Sequence, residues 1–150
     1  MGVEQFRTLL RPRRRVALDT SIFIYQVEAN PKYYALSDVV FEWLEKQGNV
    51  AVTSTLSLTE LLVPVYREGN EKRIQTYYGL FRTFPSLAWI PPDLEIADIA
   101  ARLRAAYGLK TPDAIHAATA IYTGVSVFLT NDPLFKRVKE LESLVLGEVL

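Results

Sequence analysis

Asp19, Glu60, Asp113 and Asp132 are the residues whose type and placement point most directly to chemistry. Asp19 ends the apolar run Val16-Ala17-Leu18, and Asp132 follows Phe128-Leu129-Thr130-Asn131. Asp113 stands at a helix start in Thr111-Pro112-Asp113, and Glu60 lies within Leu58-Thr59-Glu60-Leu61-Leu62, where a lone charge is costly without a partner. Carboxylates gathered in one place repel and stay partly protonated unless a divalent cation neutralises them. A donor set made only of oxygen suits Mg²⁺ or Mn²⁺ better than zinc. Such an ion lowers the pKa of a bound water, polarises a phosphoryl oxygen and stabilises a leaving oxygen, which is the chemistry of phosphodiester hydrolysis. Taken singly, three of these acids also have an ordinary explanation: Asp19 as a turn residue, Asp113 as a partner of its helix dipole and Asp132 as a cap.

The elements that must position these acids alternate in kind. Val16-Ala17-Leu18 reads as a first buried strand stopping at a polar loop, Asp19-Thr20-Ser21. Leu36, Val39, Val40, Trp43 and Leu44 recur at helical spacing, with Gly48 as the stop. Val50–Thr53 is a second strand, followed by a helix capped by Thr55 or Ser57 that runs toward Tyr66, which Pro64 should bend or end early. A helix over Glu71–Phe84 precedes a third strand at Leu87–Ile90, closed by Pro91-Pro92. Asp93 and Glu95 open a helix that lasts to Gly108. Thr111, as a capping hydroxyl ahead of Pro112, opens another that ends at Tyr122. Val125–Thr130 is the fourth strand, Asp132-Pro133 opens a short helix, and Leu144–Leu146 adds an edge strand. Short apolar strands alternating with helices indicate an α/β class with a parallel sheet covered on both faces, and loops at the carboxyl ends of its strands converge on the acids.

Composition narrows the function classes. A chain of 150 residues, 49% hydrophobic, buries one sizeable core. Its 17 basic residues balance 17 acidic ones, so nucleic-acid contact has to be local rather than driven by an overall positive field. The absence of cysteine removes disulfides, thiolate nucleophiles and Cys-based metal sites, and a lone histidine, His116, removes a multi-histidine cage. The apolar stretch after Arg11, Arg13, Arg14 and Arg15 is broken at once by Asp19, unlike a secretory signal. The weakly polar region Ala114–Thr130, split by Gly124, falls short of the roughly 20 apolar residues of a membrane span. The expectation is a cytoplasmic protein that does not enter the membrane.

Four segments taken in order, Val16-Ala17-Leu18-Asp19-Thr20-Ser21, Leu58-Thr59-Glu60-Leu61, Thr111-Pro112-Asp113-Ala114-Ile115-His116-Ala117-Ala118-Thr119-Ala120 and Phe128-Leu129-Thr130-Asn131-Asp132, resemble the motifs of PIN domains. The likeness spans most of the chain and runs toward the VapC-type toxins of toxin–antitoxin systems. It implies a three-layer α/β/α domain with a short central parallel sheet, and a ribonuclease dependent on Mg²⁺ or Mn²⁺. Asp19, Glu60, Asp113 and Asp132 match the family's catalytic, metal-holding acids, and Thr20, Ser21 and Thr130 match the small polar positions beside them; these hydroxyls and Asn131 either support the acids, a metal water or a phosphate, or only satisfy the loop and its turn. An RNA substrate, a cognate antitoxin and a homodimer are implied with it.

On this reading residues 1–15 are a basic lead, the weakest link to the core, and 16–150 are a single nuclease domain. The lead departs from the family, whose first aspartate commonly lies nearer the N-terminus; its arginines either hold phosphate or an acidic partner, or are simply solvated. His116, one helical turn after Asp113, either moves a proton or serves in packing and hydrogen bonding. Arg67, Lys72, Arg73, Lys136, Arg137 and Lys139 are candidates for lining an RNA groove, with surface solvation as the default. Phe41, Trp43, Tyr77, Tyr78, Phe81 and Phe84 read as core or dimer surface before base-stacking platforms. The rival readings are a catalytically silent RNA- or partner-binding module and a magnesium-dependent aspartyl phosphatase. The latter fits less well, because Ser21 stands where that class carries a second aspartate.

Overall fold

The computed structural model describes residues 2–149. Five strands, β1 (Arg15–Leu18), β2 (Val50–Ser54), β3 (Leu87–Ile90), β4 (Val127–Thr130) and β5 (Glu142–Val145), pair in parallel in the order β3-β2-β1-β4-β5. The helices are α1 (Gly2–Leu10), α2 (Thr20–Val27), α3 (Tyr34–Glu45), α4 (Leu56–Glu68), α5 (Glu71–Thr83), α6 (Leu94–Tyr107), α7 (Thr111–Tyr122) and α8 (Leu146–Val149), with a 3-10 turn over Pro133–Arg137.

Side-chain alternation along the strands divides the core into two layers. Val16 and Leu18 of β1, Ala51 of β2 and Val127 and Leu129 of β4 join one apolar cluster with Phe6, Phe23, Leu36, Phe41 and Trp43. Ala17, Val52 and Phe128, facing the other way, join Ile96, Leu103, Ala114, Ala117 and Phe135. The result is the expected three-layer α/β/α sandwich. On the second face alanines of α7 lie against Ala17, so small side chains there permit close approach of helix to sheet.

Several elements depart from the sequence reading. Residues 20–27, expected to begin as a loop, are α2, capped by Asp19. Helix α4 continues through Pro64 to Gly69, whose φ of 66° ends it. Proline at that point withholds only the N–H that would bond the Glu60 carbonyl, and Pro64 lies on the exposed side of the helix. The cap of α7 is Lys110, without a side-chain bond, rather than Thr111. At α4 neither Thr55 nor Ser57 supplies the capping bond; Ser54 Oγ accepts from the Leu56 N–H instead. Strand β4 begins at Val127 rather than Val125, and β5 occupies Glu142–Val145 while Leu146 starts α8.

Residues 2–15 are tied to the core more firmly than a solvated lead. Phe6 and Leu10 are fully buried by α1, which packs on α3 and α8. Three of the four arginines after it are engaged locally: Arg13 pairs with Glu142, Arg14 bonds Asn49, and Arg15 donates to the Thr123 carbonyl at 2.8 Å. Among the aromatic residues, Phe41, Trp43, Tyr77 and Phe84 are buried, and Phe23 stacks on Trp89 at 5.7 Å between ring centroids. These rings are core. No helix of the described residues is long and apolar enough to cross a membrane.

Candidate active site

The site is assembled at the carboxyl ends of β1 and β4. The Asp19 amide continues the β1–β4 pairing by donating to Leu129 O at 3.0 Å, which sets Asp19 beside Thr130. Its two carboxylate oxygens divide the work. Oδ1 accepts the Thr20 N–H at 2.8 Å and so caps α2, while Oδ2 accepts the Thr130 hydroxyl at 2.7 Å. Thr130 Oγ1 in turn accepts the Asp132 N–H at 3.0 Å, and Asp132 Oδ1 accepts from Leu134 N at 2.9 Å, turning the chain into the 3-10 segment.

Glu60 comes from α4 and His116 from α7. Glu60 Oε1 accepts the Thr20 hydroxyl at 2.6 Å and lies 2.6 Å from His116 Nε2. Beneath them Thr53, Ser57 and Thr20 form a buried polar seam. Asp113, one turn before His116, is half-buried and has no hydrogen bond fixing it among the described residues.

Burial dominates the electrostatics of the acids, and like charges add to it. Burial raises the Asp19 pKa above its ordinary value and Glu60 adds to the rise, against the opposing pull of His116, Thr130 and the Thr20 amide. Asp113 is also raised, by burial first and then by the charges of Asp19, Asp132 and Glu60. Asp113 thus lies within electrostatic reach of Asp19, Asp132 and Glu60. At Glu60 burial is the largest single influence and pushes upward, but the hydrogen bonds from His116 and Thr20 and the charge of His116 outweigh it, and the net shift is downward.

The donor set fits a hard divalent cation: carboxylate oxygens, no sulfur, and a histidine ring whose Nε2 is already bonded to Glu60. Among the described residues no group of three His, Asp or Glu side chains is close enough to hold an ion by direct contacts alone. Mg²⁺ commonly retains several waters and takes only one or two carboxylates directly, so a spread set of acids is compatible with it.

The supporting residues separate. Thr20 and Thr130 are buried and bond the acids directly. The Ser21 hydroxyl oxygen is buried without a hydrogen-bond partner among the described residues. Asn131 turns away from the acids, donating to Tyr25 Oη at 2.9 Å and accepting the Gly147 N–H at 2.7 Å, so it fastens the β4 exit to α8. Thr53 and Ser57 were not legible from the sequence as site residues; a Thr and a Ser four apart around a strand-to-helix junction was the available signal. Of the basic candidates, Arg73 is paired with Glu28 and Glu68 and Lys136 with Glu148, which commits them within the chain.

The family model described as PIN domain matches residues 16–141. No curated protein matches the chain. Among solved structures it is similar to FitAcB from Neisseria gonorrhoeae, at 18% identity and a TM-score of 0.66, covering 88% of this chain and 98% of that one. It is also similar to VapBC2 from Rickettsia felis bound to a DNA fragment from their promoter, at 21% identity and a TM-score of 0.64, covering 87% and 98%. A toxin–antitoxin complex from Klebsiella pneumoniae is similar at 22% identity and a TM-score of 0.64, covering 87% and 97%. At such identities the likeness establishes the fold.

Proposed function

The chain belongs to the PIN domain family, and from that premise we propose that it is a ribonuclease that hydrolyses RNA phosphodiester bonds with Mg²⁺ or Mn²⁺, acting as the toxin of a toxin–antitoxin pair. The observation that supports the reading is the hydrogen-bonded linkage of the acids at the carboxyl ends of β1 and β4: Thr130 bonds both Asp19 and the Asp132 amide, Thr20 bonds Glu60, and Asp113 lies near enough to feel the charges of the other three. A folded chain keeps such an arrangement at a cost to stability, which function explains better than architecture does. Asp19, Glu60, Asp113 and Asp132 would hold the metal, in part through its waters, and the ion would supply charge neutralisation and Lewis acidity toward a phosphodiester.

The chain's own groups set the stage for that chemistry. Thr130 and the Thr20 amide fix both oxygens of Asp19, so this carboxylate meets its ligand without reorganising. Asp113, without such bonds among the described residues, is the acid with room to adjust. Ser21 offers a buried, uncommitted hydroxyl one residue inside α2, and Asn131 supports the site from a distance by holding the loop that bears Asp132.

An antitoxin that covers the acidic end, in a homodimer working in the cytoplasm, completes the reading. The similar structures from Rickettsia felis and Klebsiella pneumoniae, a VapBC complex and a toxin–antitoxin complex, support the partner by analogy. A catalytically silent binding module is the second reading, favoured by the lack of a preformed three-residue cation group among the described residues.

The test is incubation with a mixed pool of structured and single-stranded RNAs in Mg²⁺, Mn²⁺ or EDTA, beside Asp19→Asn purified in parallel. Cleavage that requires metal and vanishes in the variant supports the nuclease. RNA binding without metal-dependent cleavage supports the silent module instead.

A further inference from the structure

The hydrogen bonds around Glu60 can be assigned a direction, because each hydroxyl has one proton to give. Thr53 gives its proton to Leu18 O at 3.0 Å, so Ser57, 2.9 Å away, must donate to Thr53. That leaves Ser57 no proton for Thr20 Oγ1, 3.2 Å distant. Thr20 spends its own on Glu60 Oε1, since a carboxylate only accepts. His116 Nε2, 2.6 Å from the same oxygen, therefore donates as well. Nδ1 is buried without a partner among the described residues, so the ring's hydrogen bonding is concentrated at Nε2.

Two donors from separate helices thus converge on one oxygen of a side chain that is otherwise 37% exposed. A glutamate at that exposure ordinarily moves among many rotamers, and ordering it carries an entropic cost. Here the anchor is rigid: His116 is only 3% exposed, and Ala114, Ala117 and Ala118 around it are buried. Both bonds land on Oε1, and Oε2 accepts none among the described residues.

We infer that His116 is a positioning residue: with Thr20 it locks Oε1 of Glu60 so that Oε2 is the oxygen presented to the divalent cation. The inference rests on the metal-nuclease reading. It also links the acids mechanically, since α7 carries Asp113 and, one turn later, the ring that orients Glu60. Residues that orient a metal-holding carboxylate typically change affinity by about 10–100-fold when removed.

The experiment measures Mn²⁺ binding by titration calorimetry, and RNA cleavage separately, for the full chain, Asp19→Asn, His116→Leu and His116→Gln. Thermal unfolding in EDTA verifies the fold of each. His116→Leu is expected to weaken Mn²⁺ binding about tenfold or more. His116→Gln, whose amide can donate near the position of Nε2, is expected to recover most of that loss, which a purely space-filling role would not produce. Should His116→Leu not fold, His116→Asn, whose amide stops short of Glu60, replaces it. Folded His116→Leu or His116→Asn with wild-type Mn²⁺ affinity overturns the inference while leaving the nuclease reading intact. Failure of the wild-type chain to bind Mn²⁺ overturns the inference too. Weakened binding in the variant, together with no cleavage by the wild type, upholds the positioning role and removes the nuclease reading instead.

Discussion

Asp19 and Thr130 meet at 2.7 Å, Oδ2 accepting from Oγ1, although 111 residues separate them along the chain. Adjacent strands β1 and β4 bring them together, and Thr130, wholly buried, passes the constraint on by accepting the Asp132 N–H. One hydroxyl therefore fixes the spacing of two acids.

Thr130→Val keeps the side-chain shape but removes that hydroxyl. Asp19 loses a donor and the Asp132 amide loses its acceptor, and an unsatisfied polar group at such a site costs about 1–3 kcal/mol. Urea unfolding in EDTA is expected to show a loss in that range, and metal-dependent cleavage is expected to fall even where the variant is fully folded. Unchanged stability would mean that water replaces the hydroxyl freely.

The raised pKa of Asp19 gives a pH dependence with a definite sign. Its protonation favours the folded state, so the stability it contributes is complete below the ordinary Asp pKa and is lost as pH rises through the higher folded value. Glu60 is shifted down and acts oppositely, contributing stability above its ordinary pKa that is lost as pH falls through the folded value. Asp19→Asn cancels only the first effect. In EDTA the variant is expected to match the wild type at the acid end and to become the more stable of the two as pH rises toward neutrality, by about 2–4 °C for each kcal/mol recovered. Differential scanning across that range measures it; a gap that widens on acidification would contradict the assigned cause.

Asp113 feels Asp19, Asp132 and Glu60 at once, yet no hydrogen bond holds it among the described residues. Asp113→Asn removes charge from the site without dismantling a network, and it should fold as the wild type does. Cleavage is expected to drop by about a hundredfold or more, the scale seen when one preorganised electrostatic partner of a reacting centre is removed. Raising Mn²⁺ should restore part of the rate if the loss lies in metal affinity. Full activity at low Mn²⁺ would remove Asp113 from the site.

The strands were legible because β1, β2 and β4 are apolar on both faces, a pattern only a covered parallel sheet explains. The four acids stand out in the sequence as a set because parallel topology sends the loops that carry them toward one end of the sheet. Helix α2 was obscured because Ile22, Phe23, Ile24 and Tyr25 form a continuous apolar run; wedged against α3 and α4, it lacks the polar face that marks a helix. Asn131 misled by proximity: next to Asp132 in sequence, it faces Tyr25 and Gly147 in space. The chain bends after β4 ends at Thr130, and a sequence does not say which neighbour then faces the chemistry.

The N-terminal segment tests the same lesson energetically. Its arginines dominate the sequence, but the side chains that decide its position are Phe6 and Leu10, one helical turn apart and buried against α3. Trp43 reinforces the junction by donating Nε1–H to the Arg13 carbonyl at 3.0 Å. If the lead were merely solvated, Phe6→Ala would be nearly neutral. Packed as it is, the substitution opens a cavity in the same apolar cluster that backs β1, and about 3–5 kcal/mol of stability should be lost. Because β1 leads directly into Asp19, the damage should spread to the site, lowering cleavage more than an equally destabilising change on the opposite face of the sheet, such as Leu103→Ala. Chemical denaturation of both variants, with their cleavage rates measured where each is fully folded, separates the two consequences; equal rates would mean that α1 supports the fold but not the position of Asp19.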